Sequence, residues 1–466
     1  MIPFESFSYP LFDLAYRADH EAVLEAFLAS PAEDVFGGGL KGLYVHIPFC
    51  DTICDFCPFV KSVGSEERIR AYMGALHREL ETLGSKPRMA EWTLDAVYIG
   101  GGTPSVLSEE QLTALVTTIR KSFRLSPDVE ITFEVEPKSA TDSKLATMAG
   151  LGATRVSFGV QTLDPTVRTL VNLTATLDDV YRTIELSTKH FARTNVDMMV
   201  GFPSQTRDSV LAEMDEIGRS GIGSVSVYPV DYVMTMPGWL DRIRRGQIDR
   251  PASLAERSDQ FHEARAALMK HFDEQNMYCF GTESIAAVRY MFEILYGTYR
   301  DECVGVGSGA YSFMRGIASY NTAVESTYVE QAGSGRLPVA CTSPGHAYEK
   351  GLVFFPKRLS YDLDDMVELG IDETYGEKIA RLEDLGLVDV DGRVLRLTEE
   401  GKRTYSELMV GFFSDQQQRL YRRVCNRLQS EVGVVTDDEW RSGSARIRSL
   451  GAFNAMTKGA ARRRSA

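Results

Sequence analysis

Two features that mark membrane and nucleic-acid-binding proteins are scarce in this sequence: long apolar runs and an excess of basic residues. No apolar run reaches the roughly 20 residues that cross a bilayer. The 466 residues include 51 Lys and Arg against 65 Asp and Glu, a net charge of −14, whereas nucleic acids and anionic membranes bind basic surfaces. The start of the chain lacks the basic and apolar segments of a signal peptide. We therefore expect a cytoplasmic protein that binds neither nucleic acid nor membrane.

Cysteine is also scarce, with seven residues in the whole chain. An odd and mostly scattered set argues against a framework of disulfides. Three of them nevertheless stand close together, as Cys50, Cys54 and Cys57 in the stretch CDTICDFC. Several soft sulfur ligands in one short loop are typical of a metal site.

The number of cysteines in this loop bears on the kind of metal. Structural zinc takes four ligands in a closed tetrahedron, but Pro58 and Phe59 follow the last cysteine, and His46 belongs to the preceding apolar segment. A [4Fe–4S] cluster held by three cysteines leaves one iron free to bind a substrate or cofactor. We favour such a cluster, with zinc or a chance group of structural cysteines as the alternatives.

Strand and helix patterns alternate along the first half of the chain. Apolar, β-branched segments predict strands at residues 43–47, 94–100, 130–135, 155–160, 195–201 and 223–230. Amphipathic patterns predict helices at residues 65–84, 108–123, 141–152, 176–191 and 206–221. This alternation indicates parallel βαβ units. We predict an α/β fold built on a partial, TIM-like (β/α)6 barrel, with an open doubly wound sheet as the alternative.

The remaining patterns suggest a division of the chain into five regions. These are an N-terminal extension (1–40), the barrel (41–232), helices and loops that complete it (233–355), a winged-helix-like α+β lid (356–415), and a C-terminal helix with a basic tail (416–466). The lid prediction rests on two helical patterns and a hairpin with an Asp391-Gly392 turn. From Tyr361 to Phe412 there are 14 acidic against 6 basic residues, a net charge of −8. Since a wing that reads DNA is basic, we interpret this region as a packing lid.

Polar residues or glycines stand in or just after each predicted strand. They are the cysteine loop, Gly101, Gly102, Thr103, Glu134, Glu136, Gln161, Asp197, Tyr228 and Asp231. Because the carboxyl ends of parallel barrel strands meet on one face, we expect these residues to surround one active site. The catalytic residues are not identified by this pattern, and Tyr228 and Asp231 are candidates.

The cysteine spacing, with Phe56 before the last cysteine, resembles the signature of the radical S-adenosylmethionine (SAM) enzymes. The stretch YVHIPFC leads into the first cysteine, and GGGTP, EVEP, SFGVQ and VDMMVGFP follow in order. Together they resemble the oxygen-independent coproporphyrinogen III dehydrogenase-like branch of that superfamily. The resemblance extends over residues 8–410.

This resemblance implies a mechanism and its cofactors. A [4Fe–4S] cluster on the three cysteines binds SAM through its open iron, and one electron from a flavodoxin or ferredoxin cleaves SAM to a 5′-deoxyadenosyl radical. Gly101 and Gly102 let the backbone approach the methionine moiety, and Thr103 adds a hydroxyl.

The resemblance also implies roles for five side chains. Glu134 faces the methionine ammonium, a charge-assisted contact. Gln161 and Asp197 contact the amino-acid and ribose ends of SAM. Tyr44 lies beside the cluster-bound ligand, and Tyr228 flanks the adenine.

Two departures from the family pattern concern the substrate. Phe59 stands where coproporphyrinogen-processing members have a further cysteine. Leu173 replaces the arginine of a Val-Asn-Arg motif, so that Arg155 or Arg168 would have to supply the missing cation.

From these departures we predict a member that uses two SAM molecules to methylate or cyclopropanate an unreactive sp² carbon of a small natural-product-type substrate. One alternative is an oxygen-independent coproporphyrinogen or haem-modifying oxidoreductase. Another is a haem-binding chaperone, although the stretch SYNTAVESTY lacks the His and Trp of the chaperones' His-Asn-x-x-Tyr-Trp motif. The exact substrate, the electron donor and the oligomeric state are not indicated by the sequence.

Overall fold

The computed structural model describes residues 12, 18–31, 37–230, 232, 237–282, 288–344 and 347–421. Its strands are β1 (Lys41–Ile47), β2 (Phe49–Cys50), β3 (Ser62–Val63), β4 (Thr93–Gly101), β5 (Arg124–Val135), β6 (Arg155–Gln161), β7 (Arg193–Val200), β8 (Ser224–Pro229), β9 (Asp273–Glu274), β10 (Cys279–Gly281), β11 (Glu302–Val306), β12 (Tyr311–Met314), β13 (Ile317–Asn321), β14 (Val339–Pro344), β15 (Ser360–Asp362), β16 (Val388–Asp391) and β17 (Val394–Leu397).

Its α-helices are α1 (His20–Ala29), α2 (Glu66–Gly84), α3 (Pro87–Ala90), α4 (Glu109–Ser122), α5 (Asp142–Gly150), α6 (Pro165–Leu170), α7 (Leu177–His190), α8 (Arg207–Gly218), α9 (Pro237–Arg244), α10 (Leu254–Leu268), α11 (Glu325–Gly333), α12 (Lys350–Arg358), α13 (Leu363–Glu368), α14 (Asp372–Asp384), α15 (Glu399–Arg403) and α16 (Tyr405–Gly411). A 3₁₀ turn covers Pro104–Val106, and a π-helix covers Arg289–Leu295. None of the helices in the described ranges is long and apolar enough to cross a membrane.

One large sheet contains all six predicted barrel strands. In the order β1-β4-β5-β6-β7-β8, each pairs in parallel with the next, and β9 and β14 form the two edges of the described sheet. Tyr44 lies opposite Tyr98, and Glu134 lies opposite Ser157. The prediction of an α/β fold with a partial barrel is confirmed, and the carboxyl ends of the strands share one side as expected.

The helices between these strands begin where the sequence places capping residues. Ser108 accepts a hydrogen bond from the Gln111 backbone, and the Gln111 side chain accepts one from the Ser108 backbone. Thr141 and Thr206 cap α5 and α8 with their side-chain oxygens. These caps satisfy backbone N–H groups that the first helical turn leaves unpaired.

The sheet continues beyond β1 in a way that the sequence did not predict. Strand β11 pairs in parallel with β1, and β12, β13 and β14 follow in antiparallel order. Helix α2 is tied to this extension by Glu79, which accepts hydrogen bonds from the Gly307 backbone at 2.8 Å and from Asn321 Nδ2 at 2.7 Å. The Tyr328 hydroxyl donates to the same carboxylate. The extension therefore adds a seventh parallel strand beside the strand that leads to the cysteines.

A small sheet of β15, β17 and β16 packs with helices near the end of the described chain. Its β16–β17 hairpin turns at Gly392, whose φ is +59°, a conformation that glycine adopts without strain. Arg300 pairs with Asp365 and Glu368 of this unit. The helix–helix–hairpin arrangement agrees with a winged-helix-like lid, while the boundaries of the five regions stay predictions.

Candidate active site

The cysteine loop begins where β1 and β2 deliver the chain to the carboxyl side of the sheet. Cys50 ends β2, and the Cys57 backbone N–H donates to the Cys54 carbonyl at 3.3 Å. The hydroxyl of Thr103, from the next βα loop, lies 3.4 Å from Cys50 Sγ. The loop is therefore held by a turn of its own and by the glycine-rich segment beside it.

The three thiols lie close enough to influence one another. Burial raises the pKa of Cys50 to about 11 and that of Cys54 to about 12, and the Cys57 charge adds to both rises. Within the described residues, no three His, Cys, Asp or Glu side chains are arranged to hold a single metal ion. A cluster of four irons can bind each thiolate through a different iron, so three thiols from one short loop suit the donor set of such a cluster.

Lysine 61 stands at the end of this loop. Lys61 Nζ donates to the carbonyls of Cys57 at 2.6 Å and Phe59 at 3.1 Å. Burial raises the pKa of the Cys57 thiol, and the Lys61 charge and hydrogen bonds from Lys61 and the Phe59 backbone oppose that rise. The loop thus ends on a cation that contacts one of its cysteines.

The segment after α6 braces the other side of the loop. The Val171 carbonyl accepts from the Asp55 backbone at 3.2 Å, and Asn172 Nδ2 donates to the Ile53 carbonyl at 2.8 Å. Asn172 has a φ of +60°, which is uncommon for a non-glycine residue. Leu173 packs against an apolar cluster that contains Phe56. Leu173 therefore belongs to the packing of the loop.

The glycine-rich segment fits against the cysteine loop with no space for side chains. A Cβ on Gly102 would lie 2.8 Å from the Phe49 carbonyl oxygen and 2.9 Å from Cys50 Sγ. Gly101 has a φ of +118°, and a Cβ there would lie 2.8 Å from the His46 ring. The two glycines are needed for this packing, whatever they contribute to a ligand.

Glu134 is the acid nearest this segment. Tyr98 donates to its Oε1 at 2.6 Å, and the Gly101 N–H donates to its Oε2 at 3.0 Å. Burial raises the pKa of Glu134 to about 7, and the charge of Asp197 adds to the rise. The structure therefore gives Glu134 two donors from the protein itself.

Asp197 lies on the neighbouring side of the barrel. Asn195 Nδ2 donates to its Oδ1 at 3.0 Å, and the Ser157 hydroxyl lies 3.4 Å from its Oδ2. Burial raises the pKa of Asp197 to about 6. Two carboxyl groups, from β5 and from β7 on either side of β6, thus approach the same interior space, where ionisation of both is unfavourable without a nearby cation.

The two arginines proposed for the missing cation lie in different places. Arg168 Nη1 donates to the carbonyls of Val160 at 3.0 Å and Thr162 at 2.8 Å, and its Nη2 donates to the Ala175 carbonyl at 2.5 Å. Its guanidinium is therefore used to hold a loop together.

Arg155 instead points into the barrel. It is 3% exposed, and its Nη1 has no hydrogen-bond partner among the described residues. Its charge lowers the pKa values of both Glu134 and Asp197. Arg155, rather than Arg168, is thus the cation that acts on the acid pair.

Two of the remaining predicted contacts, Tyr44 and Tyr228, lie near the acid pair. The Tyr44 hydroxyl lies 3.0 Å from His46 Nδ1, and the Tyr44 ring stacks on Tyr98 with centroids 6.1 Å apart. The Tyr228 ring lies 5.2 Å from that of Tyr278. Gln161 has a φ of +67° at the end of β6.

Asp231 lies outside the described residues, so the structure does not place it. The roles predicted for the other residues toward SAM stay predictions.

Comparisons with known proteins agree with this geometry. The Radical SAM superfamily matches residues 44–217. The heme chaperone HemW of Mycobacterium tuberculosis is 30% identical over 312 residues, which cover 64% of this chain and 76% of that protein. The chain belongs to the radical SAM superfamily. The cofactors of this superfamily, a [4Fe–4S] cluster and SAM, are those that the resemblance implied.

Two further relatives place this radical SAM protein within the predicted branch. The oxygen-independent coproporphyrinogen III oxidase of Pseudomonas aeruginosa is 26% identical over 380 residues, covering 77% of this chain and 82% of that protein. The solved structure of coproporphyrinogen III oxidase (HemN) from Escherichia coli superposes with a TM-score of 0.72 at 22% identity, covering 88% of this chain and 99% of that chain. The second match supports the fold.

The prediction of a methyltransferase or cyclopropanase is wrong, because these relatives are a heme chaperone and coproporphyrinogen oxidases. The structure explains why the two departures misled us. Phe59 is 48% exposed, and Leu173 packs beside the cysteine loop, so neither substitution alters the acid pair. The number of SAM molecules stays a prediction.

Sequence reasoning missed Tyr98 and Lys61. The period-two pattern of β4 could have identified Tyr98, because it lies two residues before Gly100 and therefore on the same face. Lys61 lies in an irregular loop, where no periodicity indicates the direction of a side chain.

Proposed function

We propose that this protein is a radical SAM enzyme that modifies a tetrapyrrole, either a porphyrinogen or a haem. Two parts of the structure support the SAM-dependent half of this proposal: the three-cysteine loop and the acid-lined interior beside it. The tetrapyrrole half rests on the names of the relatives, which are coproporphyrinogen III oxidases and a heme chaperone.

The observation that carries the proposal is the pair formed by Glu134 and Asp197. Burial raises the pKa of Glu134 to about 7 and that of Asp197 to about 6, and the charge of Asp197 adds to the rise at Glu134. A cationic ligand would favour the charged form of both groups and relieve this cost. SAM carries a sulfonium and an ammonium group, so its charge matches the site.

The chain's own residues have distinct tasks in this scheme. The thiolates of Cys50, Cys54 and Cys57 would hold the cluster, which supplies the electron that cleaves SAM. Glu134, held by the donors Tyr98 and Gly101, keeps a carboxylate oriented toward the ligand.

Tyr44 would help to exclude water from this space. It stacks on the rings of Tyr98 and Tyr290, with centroids 6.1 and 5.9 Å apart. SAM, when bound, would supply the chemistry of hydrogen-atom abstraction from the tetrapyrrole.

A product assay tests the proposal. The full chain is reconstituted anaerobically with iron and sulfide, reduced with dithionite, and incubated with SAM and either coproporphyrinogen III, haem or no addition. We expect 5′-deoxyadenosine to form, with consumption of one tetrapyrrole measured by mass spectrometry. Cys54→Ala should abolish both the formation of 5′-deoxyadenosine and the consumption of tetrapyrrole. Cys341→Ala, which replaces a buried cysteine outside the loop, should keep both. A loaded cluster that yields no deoxyadenosine with any substrate would refute the proposal.

A haem chaperone is the second candidate, favoured by the heme chaperone HemW among the relatives, of which this chain covers 76%. Such a function predicts stoichiometric haem binding, seen as a Soret shift, without consumption of haem. Stable haem binding in the absence of any tetrapyrrole product would favour this candidate over the enzyme.

A further inference from the structure

The ammonium group of Lys61 closes the cysteine loop from its carboxyl end. Lys61 Nζ donates to the Cys57 carbonyl at 2.6 Å and to the Phe59 carbonyl at 3.1 Å. The charge of the same ammonium opposes the rise that burial causes in the pKa of the Cys57 thiol. One side chain therefore binds the backbone of a cluster cysteine and places a positive charge near its sulfur.

The three cysteines differ in what surrounds their sulfur atoms. Lys61 binds the Cys57 carbonyl at 2.6 Å, and the Thr103 hydroxyl lies 3.4 Å from Cys50 Sγ. For Cys54, the surrounding effects are burial and the charges of neighbours, with Lys61 as the opposing cation. The charge of Lys61 acts on all three sulfur atoms.

The other charges around the loop do not duplicate this role. Asp55 is paired with Arg242 at 2.9 Å, and the Arg168 guanidinium is bonded to three backbone carbonyls. Asp51 and Glu136 add negative charge near the thiols. Among the described residues, Lys61 is thus the cation that binds the backbone of a cluster cysteine.

We propose that Lys61 is a positioning residue that fixes the Cys57 corner of the cluster and raises the cluster's reduction potential. This inference rests on the proposed function, because it requires the cluster. Gaining an electron makes the site more negative, so a nearby cation and hydrogen bonds to a ligand sulfur favour the reduced form. The protein would then need a less powerful reductant to begin its reaction.

Redox titration of three reconstituted full-length proteins tests the inference. Lys61→Gln keeps an N–H donor and removes the charge, Lys61→Arg keeps the charge, and Lys138→Met removes an exposed lysine that binds the Thr174 hydroxyl instead of a cysteine. Iron content is measured first, and the midpoint potential is then followed by electron paramagnetic resonance in dithionite titrations. We expect reduction of Lys61→Gln to be about tenfold less favourable, a shift of about 59 mV to lower potential for one electron.

We also expect Lys61→Arg and Lys138→Met to have midpoint potentials close to that of the wild type. An unshifted potential in Lys61→Gln would overturn the Lys61 inference and leave the proposed function standing. Loss of iron from both Lys61 variants would also overturn it. Lys61→Arg keeps the positive charge, so the charge would then not suffice to hold the cluster or to tune its potential. A wild-type chain that binds no cluster would overturn the proposed function and this inference together.

Discussion

Two arginines, one in β6 and one in the helix that follows it, show how differently two neighbouring regions of this barrel use charge. Arg168 lies in α6 and binds the carbonyls of Val160, Thr162 and Ala175. Arg155 lies at the start of β6 and extends into the acid-lined interior, where its Nη1 has no partner in the described part of the chain. The first arginine holds backbone in place, and the second balances two carboxyl groups.

This difference explains how the protein can lack an arginine at Leu173. The loop region around Leu173 is apolar and rigidly braced against the cysteine loop, whereas the balance of charge is set inside the barrel. We therefore expect substitutions in the loop region to change the stability of the protein, and substitutions in the interior to change ligand binding.

The largest effect is expected from Arg168→Met. Removing this guanidinium leaves the Thr162 and Ala175 carbonyl oxygens without their donor, and the Val160 carbonyl keeps only the Thr162 backbone N–H. We expect a loss of about 3 kcal/mol in the free energy of unfolding, measured by urea titration. Arg155→Met serves as the matched variant and should lose much less stability. Equal losses in both proteins would show that the two regions do not differ as described.

Glu134→Gln should weaken SAM binding through the interior. The amide keeps the shape of the side chain and removes the charge that faces the cationic ligand. We expect a loss of about 2 kcal/mol, which is about a 30-fold higher Kd for SAM, measured by equilibrium dialysis on reconstituted protein. Glu136→Gln, two residues farther along the chain, should change Kd by less than about threefold. If both variants bind SAM as wild type does, the acid pair is not the ligand site.

Arg155→Met should shift the pH dependence of SAM binding. Arg155 lowers the pKa values of Glu134 and Asp197, so its removal raises both and leaves more of each carboxyl protonated at pH 7. Tyr98, Glu130 and Cys279 also face this guanidinium.

We expect SAM affinity at pH 7 to fall about tenfold in Arg155→Met, equal to about 1.4 kcal/mol, and to recover as the pH rises toward 9. Calorimetric titrations across this range check the shift, and Arg155→Lys should keep the wild-type profile. Superimposable profiles for wild type and Arg155→Met would contradict a role in balancing the acids.

The smallest effect concerns the stability of the protein without cofactors. The folded-state pKa of Glu134, about 7, lies above its unfolded value, so the folded protein holds this proton more tightly. The tighter binding of this proton stabilises the folded protein below the unfolded-state pKa of Glu134. That stabilisation is lost as the pH rises through the folded-state pKa of about 7. We expect Glu134→Gln to be more stable than wild type at pH 8 by on the order of 1 kcal/mol, with the difference disappearing by about pH 4.5.

Thermal melts at several pH values measure this difference. A difference in stability between wild type and Glu134→Gln that is constant with pH would show that Glu134 does not carry a raised pKa.

Local patterns were sufficient to predict the barrel strands, because each buried strand has its own apolar run and each connecting helix its own cap. Strand β11 was missed because its sequence, ECVGV, continues into a glycine-rich stretch, and its pairing with β1 joins residues such as Tyr44 and Gly305 that are far apart in sequence. In the site, the strand-end rule predicted that the cysteine loop, Glu134 and Asp197 face one side. The separate tasks of Arg155 and Arg168 depend on tertiary contacts, which the sequence pattern does not contain.

In the proposed function, the three-cysteine loop and the acid-lined interior form one site for a cluster and SAM. Electron paramagnetic resonance of the reconstituted, dithionite-reduced protein, with and without SAM, tests it most directly. We predict a [4Fe–4S] signal that changes when SAM is added to wild type and changes far less in Glu134→Gln at the same SAM concentration. A protein that carries zinc in place of iron, or a cluster signal that SAM leaves unaltered in wild type, would contradict the account.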